Sequence, residues 1–271
     1  MTPTEPMIKS EDFKLNESLD RIKHVIIVMS GKGGVGKSTV ACNLALGLSM
    51  AGHPTGIMDL DIHGPNVPKM LGLEGERVAS ENDGLLPVEL PPRLKVMSMA
   101  FLLKDVDSPV IWRGPVKMGA IRQFIEDVRW GDLDFLIVDL PPGTGDEPLS
   151  IMQLIPRADG AVVVTTPQDV ALLDSRKSIN FCKQMGVPVL GVVENMSTMI
   201  CPHCNGTVEV FKQGGGERSA AEMGVPFLGK LPLDADIALR GDSGEPVVTD
   251  GRGPAGKAMM AIVDGLRQHL L

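Results

Sequence analysis

Two short stretches of this chain hold residue types that do chemistry at a fixed spacing. The first is Gly31-Lys32-Gly33-Gly34-Val35-Gly36-Lys37-Ser38-Thr39, which satisfies the pattern G-x-x-x-x-G-K-[ST] of a phosphate-binding loop. Its glycines let successive backbone N–H groups turn inward around a polyphosphate, and the helix that follows adds partial positive charge at its N-terminus. Lys37 is expected to reach the β- and γ-phosphates of ATP, and the Ser38 hydroxyl to ligate Mg²⁺. The second stretch is Cys201-Pro202-His203-Cys204. By itself C-x-x-C is open between a redox dithiol, half a zinc site and half an iron–sulfur site. Pro202, Asn205 and Gly206 predict a turn rather than the helix start of a thioredoxin-type dithiol. His203 lies between the cysteines, where ligation would strain that turn.

Acids and amides at strand ends extend the first site. Asp139 closes the apolar run Asp134-Phe135-Leu136-Ile137-Val138 and precedes Leu140-Pro141-Pro142-Gly143-Thr144-Gly145-Asp146. An acid there is placed to hold Mg²⁺ or its water, and the Gly143 N–H to meet the γ-phosphate. The alternative for Asp139 is a helix cap. Asp59-Leu60-Asp61 ends another strand, and ligands bind beyond strand carboxyl ends. His63 reads as a solvated loop histidine. Asn195, in Glu194-Asn195-Met196, carries an amide able to satisfy both edges of adenine. Pro232, in Leu231-Pro232-Leu233-Asp234, could line the other side of the base.

These groups need a scaffold that brings strand ends together. Strands are predicted at about 24–30, 55–59, 94–99, 134–139, 161–166, 187–193 and 227–231. Helices fit at about 37–51, 115–129, 146–155, 169–185 and 255–270, while 64–92 reads as loop or short helices. Val- and Ile-rich strands alternating with helices predict an α/β fold, a doubly wound, mainly parallel sheet with helices on both faces. Residues 1–20 read as a flexible N-terminal arm and 21–271 as a single domain. The stretch Gly214-Gly215-Gly216 reads as a flexible approach to a helix. The C-terminal helix, with Met259, Ile262, Val263, Leu266 and Leu270 on one side, either packs on the sheet or lies on a membrane. Two cations (Lys257, Arg267) and no aromatic anchor argue for packing.

Composition narrows the partners. The 271 residues carry a formal charge of −8, no tyrosine and only 3% aromatics. That argues against nucleic-acid and anionic-membrane binding, which need a basic face or stacking platforms. Sixteen methionines are core filler. No signal segment or membrane span is visible, and the four cysteines form no disulfide framework, so a cytoplasmic setting is expected.

Lys32 follows the first glycine directly. That deviant form of the loop resembles the MinD, ParA and Mrp group of ATPases, and implies that Lys32 reaches the nucleotide of a partner subunit. Cys42, on the helix after the loop, and Cys182, in an apolar helical pattern, cannot easily complete a four-thiolate site. Each chain then offers two thiolates, Cys201 and Cys204, where a [4Fe–4S] cluster wants four, and a two-fold dimer supplies the missing pair. Zinc and a redox or purely structural pair remain the alternatives.

The combination of the Lys32 loop, Asp59-Leu60-Asp61-Ile62-His63-Gly64-Pro65-Asn66, Trp112-Arg113-Gly114-Pro115, Asp139 to Asp146, Thr166-Pro167-Gln168-Asp169-Val170 and the thiol pair resembles the Mrp/ApbC iron–sulfur carrier ATPases over about residues 22–271. The resemblance implies a cytosolic homodimer that hydrolyses ATP slowly, binds a [4Fe–4S] cluster and passes it to apo iron–sulfur client proteins. It implies that Asp61 positions water and Mg²⁺, that Asn195 recognises the base, and that Asp174 meets the signature lysine across the interface. A MinD- or ParA-type positioning ATPase and a zinc-stapled regulatory ATPase are the rival readings.

Overall fold

Apolar β-branched runs, too hydrophobic on both faces to meet water, form the centre of the molecule. The computed structural model describes residues 19–81, 84–102, 114–155, 157–201, 203–204 and 206–271. Along the chain, β1 (Ile22–Met29) runs through the phosphate-binding loop into α1 (Lys37–Met50). Then follow β2 (Thr55–Asp59), a short α2 (Val67–Met70), β3 (Ala79–Glu81), β4 (Gly84–Leu86), β5 (Val88–Leu90) and β6 (Leu94–Ser98). Next come α3 (Gly114–Asp127), β7 (Leu133–Asp139), α4 (Asp146–Leu154), β8 (Gly160–Thr165), α5 (Asp169–Gln184) and β9 (Val189–Glu194). The last elements are β10 (Met199–Ile200), β11 (Thr207–Val208), α6 (Gly215–Met223), β12 (Phe227–Lys230), α7 (Ala235–Asp242) and α8 (Gly253–Leu270).

Eight strands form one sheet in the order β12-β9-β8-β1-β7-β2-β6-β5. Every pairing in it is parallel except β5 on β6. β1 lies between β7 and β8, where the chain winds off in both directions, so the loop after β1 opens at the crevice in which doubly wound sheets take ligands. Alternation along β1 splits the core. Ile26 and Val28 pack towards α1 and α8, while Val25, Ile27 and Met29 face the layer of α3 and α5. Gly47 permits the close helix contact on the first side, since a Cβ there would stand 2.7 Å from Val263 Cγ2.

The predicted parallel, doubly wound architecture is therefore present. The stretch 64–92, predicted as loop or short helices, does contain the short helix α2, but it differs in carrying strands as well. It holds a β3–β4 hairpin and the antiparallel edge strand β5. Three-residue strands are too short for a period of two to register in the sequence. In α8, Met259, Ile262, Val263 and Leu266 are all buried, so its apolar side is spent on packing. Among the described residues no helix is long and apolar enough to cross a membrane. Most of the predicted arm lies outside the described residues, as do Trp112 and Arg113, but Leu19 is already buried in the core.

Phe135 is fully buried in β7, stacked on the His24 ring at 5.3 Å and met edge-on by His53 at 5.3 Å. Phe135→Ala should cost about 3–5 kcal/mol in urea unfolding, and Phe135→Leu less than about half of that.

Candidate functional site

The phosphate-binding loop is shaped by what crowds it. Gly34 and Gly36 hold φ of 78° and 83°, in the left-handed region that glycine alone enters freely. A Cβ at Gly36 would stand 2.1 Å from Asn195 Nδ2, and one at Gly31 would stand 2.3 Å from the Asp174 carbonyl oxygen. Gly36 is the N-cap of α1 and offers no side chain to the first-turn amides, which stay available to an anion. Lys32, Gly33, Gly34, Gly36, Lys37, Ser38 and Thr39 line a cavity of about 330 Å³, together with Asp61 and Pro142. Val35 is buried beneath it.

At the bottom of that cavity Lys37 Nζ donates to Asp139 Oδ1 at 2.7 Å, with both side chains buried. Lys37 Nζ also lies 3.3 Å from Ser38 Oγ. The second oxygen, Asp139 Oδ2, is buried and has no hydrogen-bond partner. In register beside it on β2 is Asp59, which is fully buried. Asp59 accepts from the amides of Asp61 and Val67 and from Ser98 Oγ. Burial, followed by the charge of Asp139, pushes its pKa up to about 8. Burial likewise raises Asp139, against the pull of Lys37. One cation thus faces two carboxylates, one of which retains a proton near neutrality. Asp61 is half-buried at the cavity wall, its Oδ1 accepting from the amides of His63 and Gly64 at 3.2 Å each.

Next to the phosphate cavity lies a second one of about 390 Å³, lined by Gly36, Thr39, Asn195, Pro232, Leu233 and Asp234 among others. Asn195 and Pro232, far apart in sequence, meet here. Asn195 Nδ2 donates to the Val35 carbonyl at 2.9 Å, so this amide props the phosphate loop and leaves its oxygen as the free edge. Gly143 sits at φ 98°, and its N–H donates to the Ser30 carbonyl at 2.8 Å. For that amide to meet a phosphate, this bond must open.

The thiol pair lies at the tip of the β10–β11 hairpin, closed by the Cys201 amide donating to the Gly206 carbonyl at 2.9 Å. This is the predicted turn; Pro202 and Asn205 lie outside the described residues. Cys204 is exposed and Cys201 half-buried. The amides of His203 and Cys204 and the Cys204 side chain donate to Cys201 sulfur and hold its pKa below the ordinary thiol range. A lowered pKa favours the thiolate, the form in which a cysteine ligates metals. Cys42 and Cys182 are fully buried. Burial first, then Asp139 and Asp59, drives the Cys42 thiol well above its usual value, and burial takes Cys182 to about 12. Neither can join a thiolate set. Among the described residues no three His, Cys, Asp or Glu side chains converge as a metal site within one chain.

Two buried charged residues escaped sequence reasoning. Lys117 on α3 is almost enclosed, 2.8 Å from His63 Nε2 and 2.5 Å from Glu147 Oε1, and so ties the Asp61 loop to the helix after Gly143. No spacing in the sequence marks it. Glu194 is wholly buried beside Asn195, with Oε1 accepting from Ser197 Oγ at 2.6 Å and Gly214 N at 3.0 Å, and Oε2 from Gly216 N at 2.6 Å. The three glycines are accordingly a fitted cradle and not a flexible approach. A Cβ at Gly215 would stand 2.6 Å from Leu172 Cδ1, and one at Gly216 would stand 3.0 Å from Glu194 Cβ. An acid followed about twenty residues later by a glycine triplet was the available signal.

A strand, a glycine loop with Lys37, a helix and an acid ending the neighbouring strand together define a P-loop NTPase. From residue 21 to 267 the chain matches the ParA family described as NUBPL iron-transfer P-loop NTPase. It belongs to that family. It is 51% identical over 245 residues to the iron-sulfur cluster carrier protein of Methanocaldococcus jannaschii, covering 90% of this chain and 84% of the relative. It is 50% identical over 232 residues to the cytosolic Fe-S cluster assembly factor CFD1 of Kluyveromyces lactis, covering 83% and 82%. Among solved structures, it superposes with a TM-score of 0.79 on a nucleotide-binding protein of Archaeoglobus fulgidus in complex with ADP, at 39% identity over 91% of this chain and 95% of that one. The cell-division ATPase MinD of Pyrococcus furiosus shares the fold, with a TM-score of 0.66 at 21% identity and coverage of 91% and 99%.

Because Asp59 binds a proton on folding that the unfolded chain releases near 3.8, stability falls as pH rises between that value and about 8. In nucleotide- and Mg²⁺-free protein, urea unfolding between pH 6.5 and 8 should show a loss of up to about 1.4 kcal/mol per pH unit that is absent in Asp59→Asn. Equal slopes for the two proteins would contradict the assignment.

Proposed function

We propose that this protein is an ATP-hydrolysing carrier that holds a [4Fe–4S] cluster as cargo between two copies of the chain and hands it to apo iron–sulfur proteins. The observation that carries the reading is the accessible pair Cys201 and Cys204, with the Cys201 thiol lowered in pKa by hydrogen bonds, on a chain whose other two cysteines are sealed in the core. Two thiolates per chain are half of what a [4Fe–4S] cluster takes, and a two-fold axis supplies the other half. The names of the archaeal and yeast relatives support the same cargo.

The surface around these groups supports a homodimer. Val170 and Leu173, at the start of α5, are 66% and 63% exposed. Asp169 of the same turn pairs with Lys212 at 2.5 Å, which joins α5 to the return limb of the thiol hairpin. Asp174, one turn on, packs against Gly31 beside Lys32. The deviant lysine, an uncovered apolar helix turn and the cysteine hairpin thus adjoin each other, so one isologous contact can engage all three.

In the nucleotide step, Lys37 leaves Asp139 for the β- and γ-phosphates as ATP enters the loop of Gly31 to Thr39. The freed carboxylate, with its already unpartnered Oδ2, fits a cation. Ser38, Asp139 and Asp61 are the residues that would hold Mg²⁺, and the ion would offset charge on the phosphate oxygens. Asp61 positions the attacking water. The Gly143 amide, released from Ser30, senses the γ-phosphate. Lys32 acts in trans, which accounts for a slow basal rate in the isolated chain. Asn195 and Pro232 hold the base. The net negative charge favours a cytoplasmic protein that works without a nucleic-acid or anionic membrane surface.

Anaerobic incubation with iron and sulfide should give a brown protein with four irons per dimer. Serine at Cys201 or Cys204 should abolish the colour and serine at Cys42 should not; zinc in place of iron on purification would favour the zinc-stapled alternative. Lys32→Ala should lower dimer kcat by roughly 10³-fold, the low end of what a cation supplied in trans contributes, and wild-type turnover would refute that role.

A further inference from the structure

We infer that Glu194 is a positioning residue that couples the base cavity to the cysteine hairpin, so that a nucleotide's base, and not its phosphates, restrains Cys201 and Cys204. This rests on the carrier reading above and adds a route within it. The chain leaves the sheet at Glu194, passes the thiols and returns at Gly214. Glu194 grips both feet of this excursion, Ser197 at the exit and Gly214 with Gly216 at the return. The carboxylate has no cation partner in the described hydrogen bonds and ion pairs, so these donors alone satisfy it in the interior.

The outgoing foot is laced to the base cavity. The Leu231 amide donates to the Glu194 carbonyl at 2.8 Å, the Ser197 amide to the Leu231 carbonyl at 2.9 Å, and the Leu233 amide to the Thr198 carbonyl at 2.9 Å. Pro232, a wall of that cavity, is the residue between the two bonded leucines. From Thr198 the chain enters β10 and reaches Cys201 without interruption. A second, independent feature marks the same two feet. Among the described residues only two non-glycines have positive φ, Met196 at 53° and Lys212 at 73°. Left-handed backbone at ordinary side chains is strained and persists where the surroundings impose it. One of these lies at each end of the excursion, so it is a hinged unit held at Glu194. A base against Pro232 stiffens the ladder at its root and restrains the hairpin at its tip.

The test is the alkylation rate of Cys201 and Cys204 by N-ethylmaleimide in cluster-free protein, read by mass spectrometry. Saturating ADP should slow it by about threefold or more, while pyrophosphate, which fills the phosphate loop only, should leave it unchanged. In Glu194→Gln one glycine amide must face a donor whichever way the new amide turns, and the ADP effect should vanish while ADP still binds. Ser197→Ala removes a single hydroxyl contact, serves if the first variant does not fold, and should at least halve the effect. Thiol rates indifferent to ADP in the wild type, an equal response to pyrophosphate, or a full effect in the folded variants would each overturn the inference. If the wild type fails to bind ADP, the carrier reading falls as well. If it binds ADP and turns brown with iron and sulfide while its thiol rates stay constant, only the coupling falls.

Discussion

A lysine and an aspartate withdrawn from water, 2.7 Å apart, stand at the root of the glycine loop. Lys37 can be buried only because Asp139 answers its charge, and Asp139 can be buried only because Lys37 does. Removing one partner of such a pair leaves an uncompensated interior charge, typically worth about 3–5 kcal/mol. The pair is also incomplete by design of the sheet. Parallel register puts Asp59 beside Asp139, so two carboxylates share one ammonium and a proton stays on the pair. The bare Asp139 oxygen is the remaining deficit, and under the proposed reading Asp139 would be one of the residues that hold a divalent cation.

Everything that surrounds this pair keeps backbone close to backbone. Gly36 lets Asn195 press into the loop, and Gly31 lets α5 approach through Asp174. The loop is squeezed between the Asn195 amide on one side and α5 on the other. Lys117 makes the corresponding link on the far side, between His63 and Glu147. The site is thus a set of loops pinned to one another by single polar groups.

The thiol hairpin follows a different logic. It is peripheral and short, and local turn geometry, through amides that point at Cys201 sulfur, lowers the pKa of that thiol. The core thiols, with the same chemistry available, are silenced by desolvation. The pair lies at the surface, while the buried Glu194 accepts from Ser197 and Gly214 at the two feet of the hairpin excursion.

Much of this was legible in the chain. The glycine loop with Lys37, the acid at the end of an apolar run and the close-spaced cysteines are local patterns, and a local pattern of backbone freedom and side-chain charge determines its own turn, cap or strand end. The parallel sheet was legible too, since runs of Val and Ile bounded by helices have few other ways to bury both faces. What the tertiary structure alone decided is which distant groups meet: Lys37 with Asp139, Asn195 with Val35 and Pro232, Glu194 with the glycine triplet, Lys117 with His63 and Glu147. It also decided that Gly143 spends its amide on Ser30 and that Cys42 is inert. Those outcomes depend on sheet order and on burial summed over many contacts, and neither quantity is carried by any short stretch of sequence.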